Sequence, residues 1–200
     1  MIEKKFRNVI ISIVVIVCLA MLTLVVVDMA NRSRAQIPDL GLSPEMNLVE
    51  RSGSAFGKSN MLGKISVVNF FFTSCKGPCP RMNGRVAEMY HKFSTSDKVQ
   101  FVSISVDPAR DSLTILKQYA ENFGVNDNRW LFLRGEIDEV QRINELGFKL
   151  GGELPSLHST KLILVDPAGK IRGYYDSNDD ESLRLLTTHV KELLRDLHDS

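Results

Sequence analysis

Two hundred residues with 44% hydrophobic and 24% charged side chains, at a formal net charge of +1, describe one globular domain plus a short appendage. Lysine and arginine (25 together) barely exceed aspartate and glutamate (24 together). No basic excess exists to neutralise a phosphate backbone, which excludes nucleic acid as a partner.

The appendage comes first. Residues 9–27, VIISIVVIVCLAMLTLVVV, are apolar and uncharged. At about 1.5 Å per residue they reach across a hydrocarbon core about 30 Å thick, and so predict one transmembrane helix. Lys4, Lys5 and Arg7 stand before the run, and Asp28, Arg32 and Arg34 after it, which expects residues 1–8 in the cytoplasm and the remainder outside. A cleaved signal peptide competes with this reading, but its apolar core is shorter and ends at small residues, where this chain has Asp28. Cys18 follows Val17 and is followed by more apolar chain, so it reads as a small hydrophobe within the membrane rather than a lipidated cysteine. The span starts too early to leave room for a long mitochondrial presequence, and a bacterial inner membrane with the domain in the periplasm is the expected address.

Residues 28–45 are polar and contain Pro38 and Gly41, reading as a linker ahead of a domain at 46–200. Asn47–Glu50 and Ala55–Gly57, joined through Ser52-Gly53, suggest a small hairpin. Ile65 to Thr73 is a nearly continuous apolar run, the mark of a strand buried on both faces. It breaks into a loop carrying two cysteines, Cys75-Lys76-Gly77-Pro78-Cys79-Pro80. Gly77 permits a tight bend, and the two prolines fit only the first turn of a following helix. Cys79 is therefore expected at a helix N-terminus, where the dipole favours a thiolate and makes it the more acidic thiol. With Cys75 in the loop and Cys79 on the helix, either a disulfide or a shared metal ion becomes possible.

Met82, Val86, Met89, Tyr90 and Phe93 recur at helical spacing, which assigns both methionines to the core rather than to a metal. A second strand runs from Val99 to Val106. Asp107-Pro108 turns the chain out of it, Asp111 is expected to cap the next helix, and Leu113, Leu116, Ala120 and Phe123 share that helix's inner face. The length of the connection makes these two strands parallel. Beyond them, Trp130–Leu133 reads as a strand, Glu136–Leu146 as a helix, and Lys161–Val165 and Ile171–Tyr175 as an antiparallel pair about Asp166-Pro167-Ala168-Gly169. A closing helix carries Leu183, Leu186, Val190, Leu193 and Leu197 on one face, with His189 among its exposed residues; His91 and His198 are likewise expected in solvent. This is an α/β arrangement, a central mixed sheet flanked by helices, of the thioredoxin-like kind.

A fixed disulfide between Cys75 and Cys79 would close too small a loop to stabilise the fold much, so the pair is read as chemical. Two thiolates do not by themselves choose between redox and metal chemistry. His158, in the loop before the strand at Lys161, is the candidate third group. Two soft thiolates with one imidazole suit Cu(I), whereas structural zinc would want a fourth ligand.

The segments NFFFTSCKGPCPRM (69–82), FVSISVDPARD (101–111) and LHSTKLILVDPAGKIRGYY (157–175) together resemble the Sco/SenC family of membrane-anchored, thioredoxin-fold copper proteins associated with cytochrome c oxidase assembly. The resemblance spans about 37–194. It implies a copper ion on Cys75, Cys79 and His158, a metallochaperone role, and the copper-bearing oxidase subunit as client, with a periplasmic copper donor or thiol reductant upstream. The alternative it leaves open is a thiol-disulfide oxidoreductase in which Cys75 and Cys79 cycle through a redox-active disulfide. A thiol peroxidase, in which the two cysteines resolve each other, is a weaker third. Many family members have proline directly after the first cysteine, where this chain has Lys76, which reads equally as a cation acting on nearby thiolates and as a solvated loop lysine. Asp107 is a candidate to face the dithiol.

Overall fold

In the computed structural model, residues 11, 13–25, 37–151 and 159–198 are described. The chain divides into two units, Met1–Gln36 and Ile37–Ser200. In the first, residue 11 and residues 13–25 are helical (α1) and exposed. Among the described residues no helix is long and apolar enough to cross a membrane. The expected span at 9–27 runs past the described residues at both ends, and its flanking charges lie outside them.

The second unit is built on a seven-stranded sheet in the order β2-β1-β5-β4-β3-β6-β7. Its strands are β1 (Leu48–Glu50), β2 (Ala55–Phe56), β3 (Ile65–Phe71), β4 (Val99–Ser105), β5 (Trp130–Arg134), β6 (Lys161–Val165) and β7 (Ile171–Asp176). The expected hairpin is present as β1–β2. Strands β3, β4 and β5 run parallel, and β6 and β7 add antiparallel at the other edge. Four further helices, α2 (Pro78–Lys92), α3 (Leu113–Glu121), α4 (Ile137–Arg142) and α5 (Asp180–His198), connect or follow the strands. Helix α4 continues into a π-helical turn, Ile143–Gly147.

Every residue of β3 and β4 is buried, as parallel strands covered on both faces require. Alternation then sends Ile65, Val67 and Phe71 into one core with α2, α3 and α5, and Val68 and Phe70 into the other with Val140 of α4 and Ile143 of the turn. The β6–β7 turn depends on Gly169, whose φ of +78° suits glycine, while Asp166 Oδ1 accepts from the Ala168 and Lys170 amides.

Residues 37–45, expected as the end of a linker, belong to this unit. Leu40 N donates to Ile171 O, Ser43 N to Gly169 O and Ile171 N to Gly41 O, at 2.8–2.9 Å. Lys170 pairs with Asp39 at 2.7 Å. Their polar composition conceals an edge segment held by backbone bonds.

His189, expected in solvent, is buried, because its Nδ1 lies 2.5 Å from the hydroxyl of Tyr175 on β7. Burial lowers its pKa below the usual 6.5, with the Glu192 carboxylate pulling the other way. A depressed histidine leaves the unfolded chain binding more protons, so its contribution is complete above pH 6.5 and is lost as pH falls below it. Urea unfolding should therefore show stability falling as the pH drops below about 6.5. That loss should shrink in His189→Gln, whose amide oxygen can still accept from Tyr175.

Candidate functional site

The cysteine loop begins where β3 can no longer continue. After Phe71 the chain turns through Thr73 and Ser74, and Cys75 N donates to Phe72 O at 3.3 Å. Gly77 is the N-cap of α2, Pro78 its first residue and Cys79 its second. The prolines thus occupy the first turn, where the missing N–H costs no helical bond. Cys79 points into the core beside Phe71, Met82 and Val86, and Cys75 packs half-buried against the same cluster. Both are reduced, with no disulfide between them, and their side chains are within hydrogen-bonding reach of one another.

The expectation that Cys79 is the more acidic thiol is overturned. Burial pushes it up to about 12, against hydrogen bonds with the Phe72 backbone and its own that lower it, and the neighbouring Cys75 pushes further upward. The helix end supplies only partial charge, about +0.5, and the sulfur is turned away from the water that would solvate a thiolate. Lys76 is exposed.

Asp111 has a different task from the helix cap expected of it. Ser112 caps α3, its side chain accepting from Ile115 N. The fully buried Asp111 carboxylate instead accepts from Thr73 N at 3.1 Å, Thr73 Oγ1 at 2.5 Å and Ser105 Oγ at 2.5 Å. It ties the entrance of the cysteine loop to the end of β4. Asp107 pairs with Arg110 at 2.8 Å.

Two residues passed over in the sequence also belong here. Asn83 lies one turn beyond Cys79 on the buried side of α2, and its Nδ2 donates to the hydroxyl of Tyr119 on α3 at 3.1 Å. The Tyr119 ring stacks on Phe71, centroids 5.2 Å apart. Burial raises the phenol to about 12; the Asn83 bond opposes this, and negative charge on Cys79, Cys75 or Asp111 would raise it further. The available signal was a polar residue at apolar helical spacing, matched by Asn69 within an apolar strand. His158 lies outside the described residues. Among those described, no group of three or more His, Cys, Asp or Glu could hold a metal.

A family model described as SCO1/SenC matches residues 35–195. The SCO1 protein homolog of Bacillus subtilis is 27% identical over 148 residues, covering 70% of this chain and 77% of that protein. The crystal structure of a SCO1/SenC family lipoprotein from Bacillus anthracis superposes with a TM-score of 0.72 at 26% identity, over 78% of this chain and 97% of that one. Yeast Sco1 with copper bound gives 0.62 at 28% identity, over 76% and 89%.

The contrast between the thiols is measurable. At about pH 8, iodoacetamide should modify Cys75 at least roughly tenfold faster than Cys79 in the native chain, since thiolate is the reacting form. In denaturant the two rates should converge. Equal native rates would contradict the burial of Cys79.

Proposed function

The chain belongs to the SCO1/SenC family, and on that premise we propose that it is a membrane-anchored carrier that takes one copper ion on Cys75, Cys79 and His158. The client is the copper-bearing subunit of cytochrome c oxidase, to which the ion passes by ligand exchange. The family is one of cytochrome c oxidase assembly proteins, and the copper held by yeast Sco1 supports the choice of metal.

The observation that carries the reading is the pair of reduced thiols, within reach of each other, one buried and one at the rim. Sulfur donors suit Cu(I). Each thiol gives up its proton on binding, so retention should strengthen as pH rises. A three-ligand set leaves one side of the ion open, and the half-exposed Cys75 is the ligand that a client's sulfur can displace first. The apolar run at 9–27 serves as a single-pass anchor in a bacterial inner membrane with the domain in the periplasm. It confines donor and client to one surface and raises their effective concentration.

The same proximity of sulfurs favours a second reading, disulfide reduction in the client. Cys75 as thiolate attacks a client disulfide and releases one client thiolate. Cys79, losing its proton, then attacks the mixed disulfide, leaving a reduced client and a Cys75–Cys79 disulfide. Two electrons pass to the client, and a periplasmic thiol reductant restores the pair.

Cu(I) competition titration of the reduced full chain separates the two. One equivalent should bind to the wild type, none tightly to Cys79→Ser, and His158→Ala should weaken binding by at least the roughly tenfold that loss of even an outer partner costs. Unchanged binding in both variants would contradict the carrier reading. Disulfide reduction that proceeds equally in His158→Ala, without copper, would establish the second.

A further inference from the structure

The net charge of +1 is not spread evenly over the chain. Residues 72–87, which hold both cysteines and the first turns of α2, carry Lys76, Arg81 and Arg85 and no carboxylate. Arg85 is neutralised by Asp180 at 2.8 Å and Glu88 at 3.3 Å. Lys76, between the two cysteines, and Arg81, two residues past Cys79, are both exposed. Among the described residues no carboxylate forms an ion pair with either.

The turn from β4 to α3 adds to this rim. Asp111 binds the amide and hydroxyl of Thr73, which brings the turn against the start of the cysteine loop. Next to Asp111, the Arg110 side chain is 70% exposed, whereas that of its partner Asp107 is 8% exposed. The pair is thus a dipole with its positive end in water and its negative end buried. Asp111 is buried too, its oxygens occupied by Thr73 and Ser105. Behind the turn, Arg134 at the end of β5 donates through Nη2 to Pro108 O at 2.8 Å. The exposed acids that follow it, Glu136 and Asp138, open α4, which packs on the opposite face of the sheet from α2 and α3.

Cations therefore surround the half-buried Cys75, and the carboxylates among them are turned inward. A thiolate on Cys75 balances one of these charges, and the rest act on whatever approaches. We propose that the mouth of the cysteine site is a docking surface for an acidic protein face, and that Lys76, Arg81 and Arg110 draw to Cys75 a partner whose own sulfurs lie among carboxylates.

Opposite potentials across two surfaces steer encounter and fix register more than they add affinity, and steering raises association rates by about 10- to 1000-fold. That suits a protein that must meet its partner quickly, present one sulfur and part again. The surface rests on the exchange at Cys75 that both readings above share, and it specifies the chemistry of the partner.

The test uses the reduced full chain without copper and two peptide disulfides of equal length, one with its cysteine flanked by glutamates and the other by lysines. The Cys75 sulfur attacks the peptide disulfide and releases one peptide thiolate. Cys79 loses its proton and attacks the mixed disulfide, which frees the second peptide thiolate and leaves a Cys75–Cys79 disulfide; two electrons pass to the peptide. Each rate is divided by that peptide's rate with mercaptoethanol, an uncharged thiol, and the two are compared as a ratio. The thiolate fraction of Cys75 enters both and cancels. At about 0.01 M salt, where charges act over about 30 Å, the glutamate peptide should react at least roughly tenfold faster. The difference should close toward 1 M, where that distance falls to about 3 Å. Lys76→Gln with Arg81→Gln should remove most of the preference, and Lys76→Glu with Arg81→Glu should reverse it. The salt dependence of the wild type decides the matter should a variant fail to fold. A ratio near one at low salt, a ratio unmoved by salt, or a preference that survives charge reversal would overturn the docking surface. No reaction with either peptide would instead defeat exchange through the Cys75 sulfur, and the surface with it.

Discussion

The Asp111 carboxylate is the joint on which the site depends. It gathers the amide and hydroxyl of Thr73 and the hydroxyl of Ser105 into one buried cluster. Hydrogen bonds to charged groups contribute about 1.5–3 kcal/mol each, a large share of the stability of a domain this size. That joint helps to fix where β3 ends and the cysteine loop begins. The parallel pairing of β3 and β4 puts their C-terminal ends side by side, which is why a residue 38 positions beyond Thr73 can reach it.

Packing then makes the two thiols unequal. Cys79 starts α2 and is driven inward by the same periodicity that buries Met82 and Val86, whereas Cys75 stays at the rim. Desolvation outweighs the partial charge of the helix end, so the buried thiol holds its proton until something stronger than water takes the sulfur. A soft metal ion does this, and so does attack on a mixed disulfide. On the carrier reading proposed above, the asymmetry provides a half-buried sulfur for exchange with a partner and a protected one that keeps hold.

Most of the fold was legible because it is written in period. Runs rich in apolar residues gave β3 and β4, helical spacing gave α2 and α5, and Asp166-Pro167-Ala168-Gly169 gave the β6–β7 turn. The prolines at 78 and 80 located the start of α2. Side-chain partners were less legible, because they depend on elements far apart in sequence. Asp111 looked like a cap since aspartate favours that position, but Ser112 serves there and frees the carboxylate for Thr73. His189 looked solvated until β7 brought Tyr175 against it. Residues 37–45 looked like linker because backbone bonds to the edge of a sheet leave no mark on composition. Asn83 and Tyr119 were hidden for the same reason: the bond between them joins two helices far apart in sequence.

The central claim is that two sulfurs and one imidazole share a single metal ion. X-ray absorption at the copper edge of the loaded full chain tests it most directly, because it reads the ligand atoms themselves. Two sulfurs and one imidazole nitrogen around each copper, with the nitrogen lost in His158→Ala, is the predicted result. A shell with one sulfur or none, or one unchanged by that substitution, would contradict it.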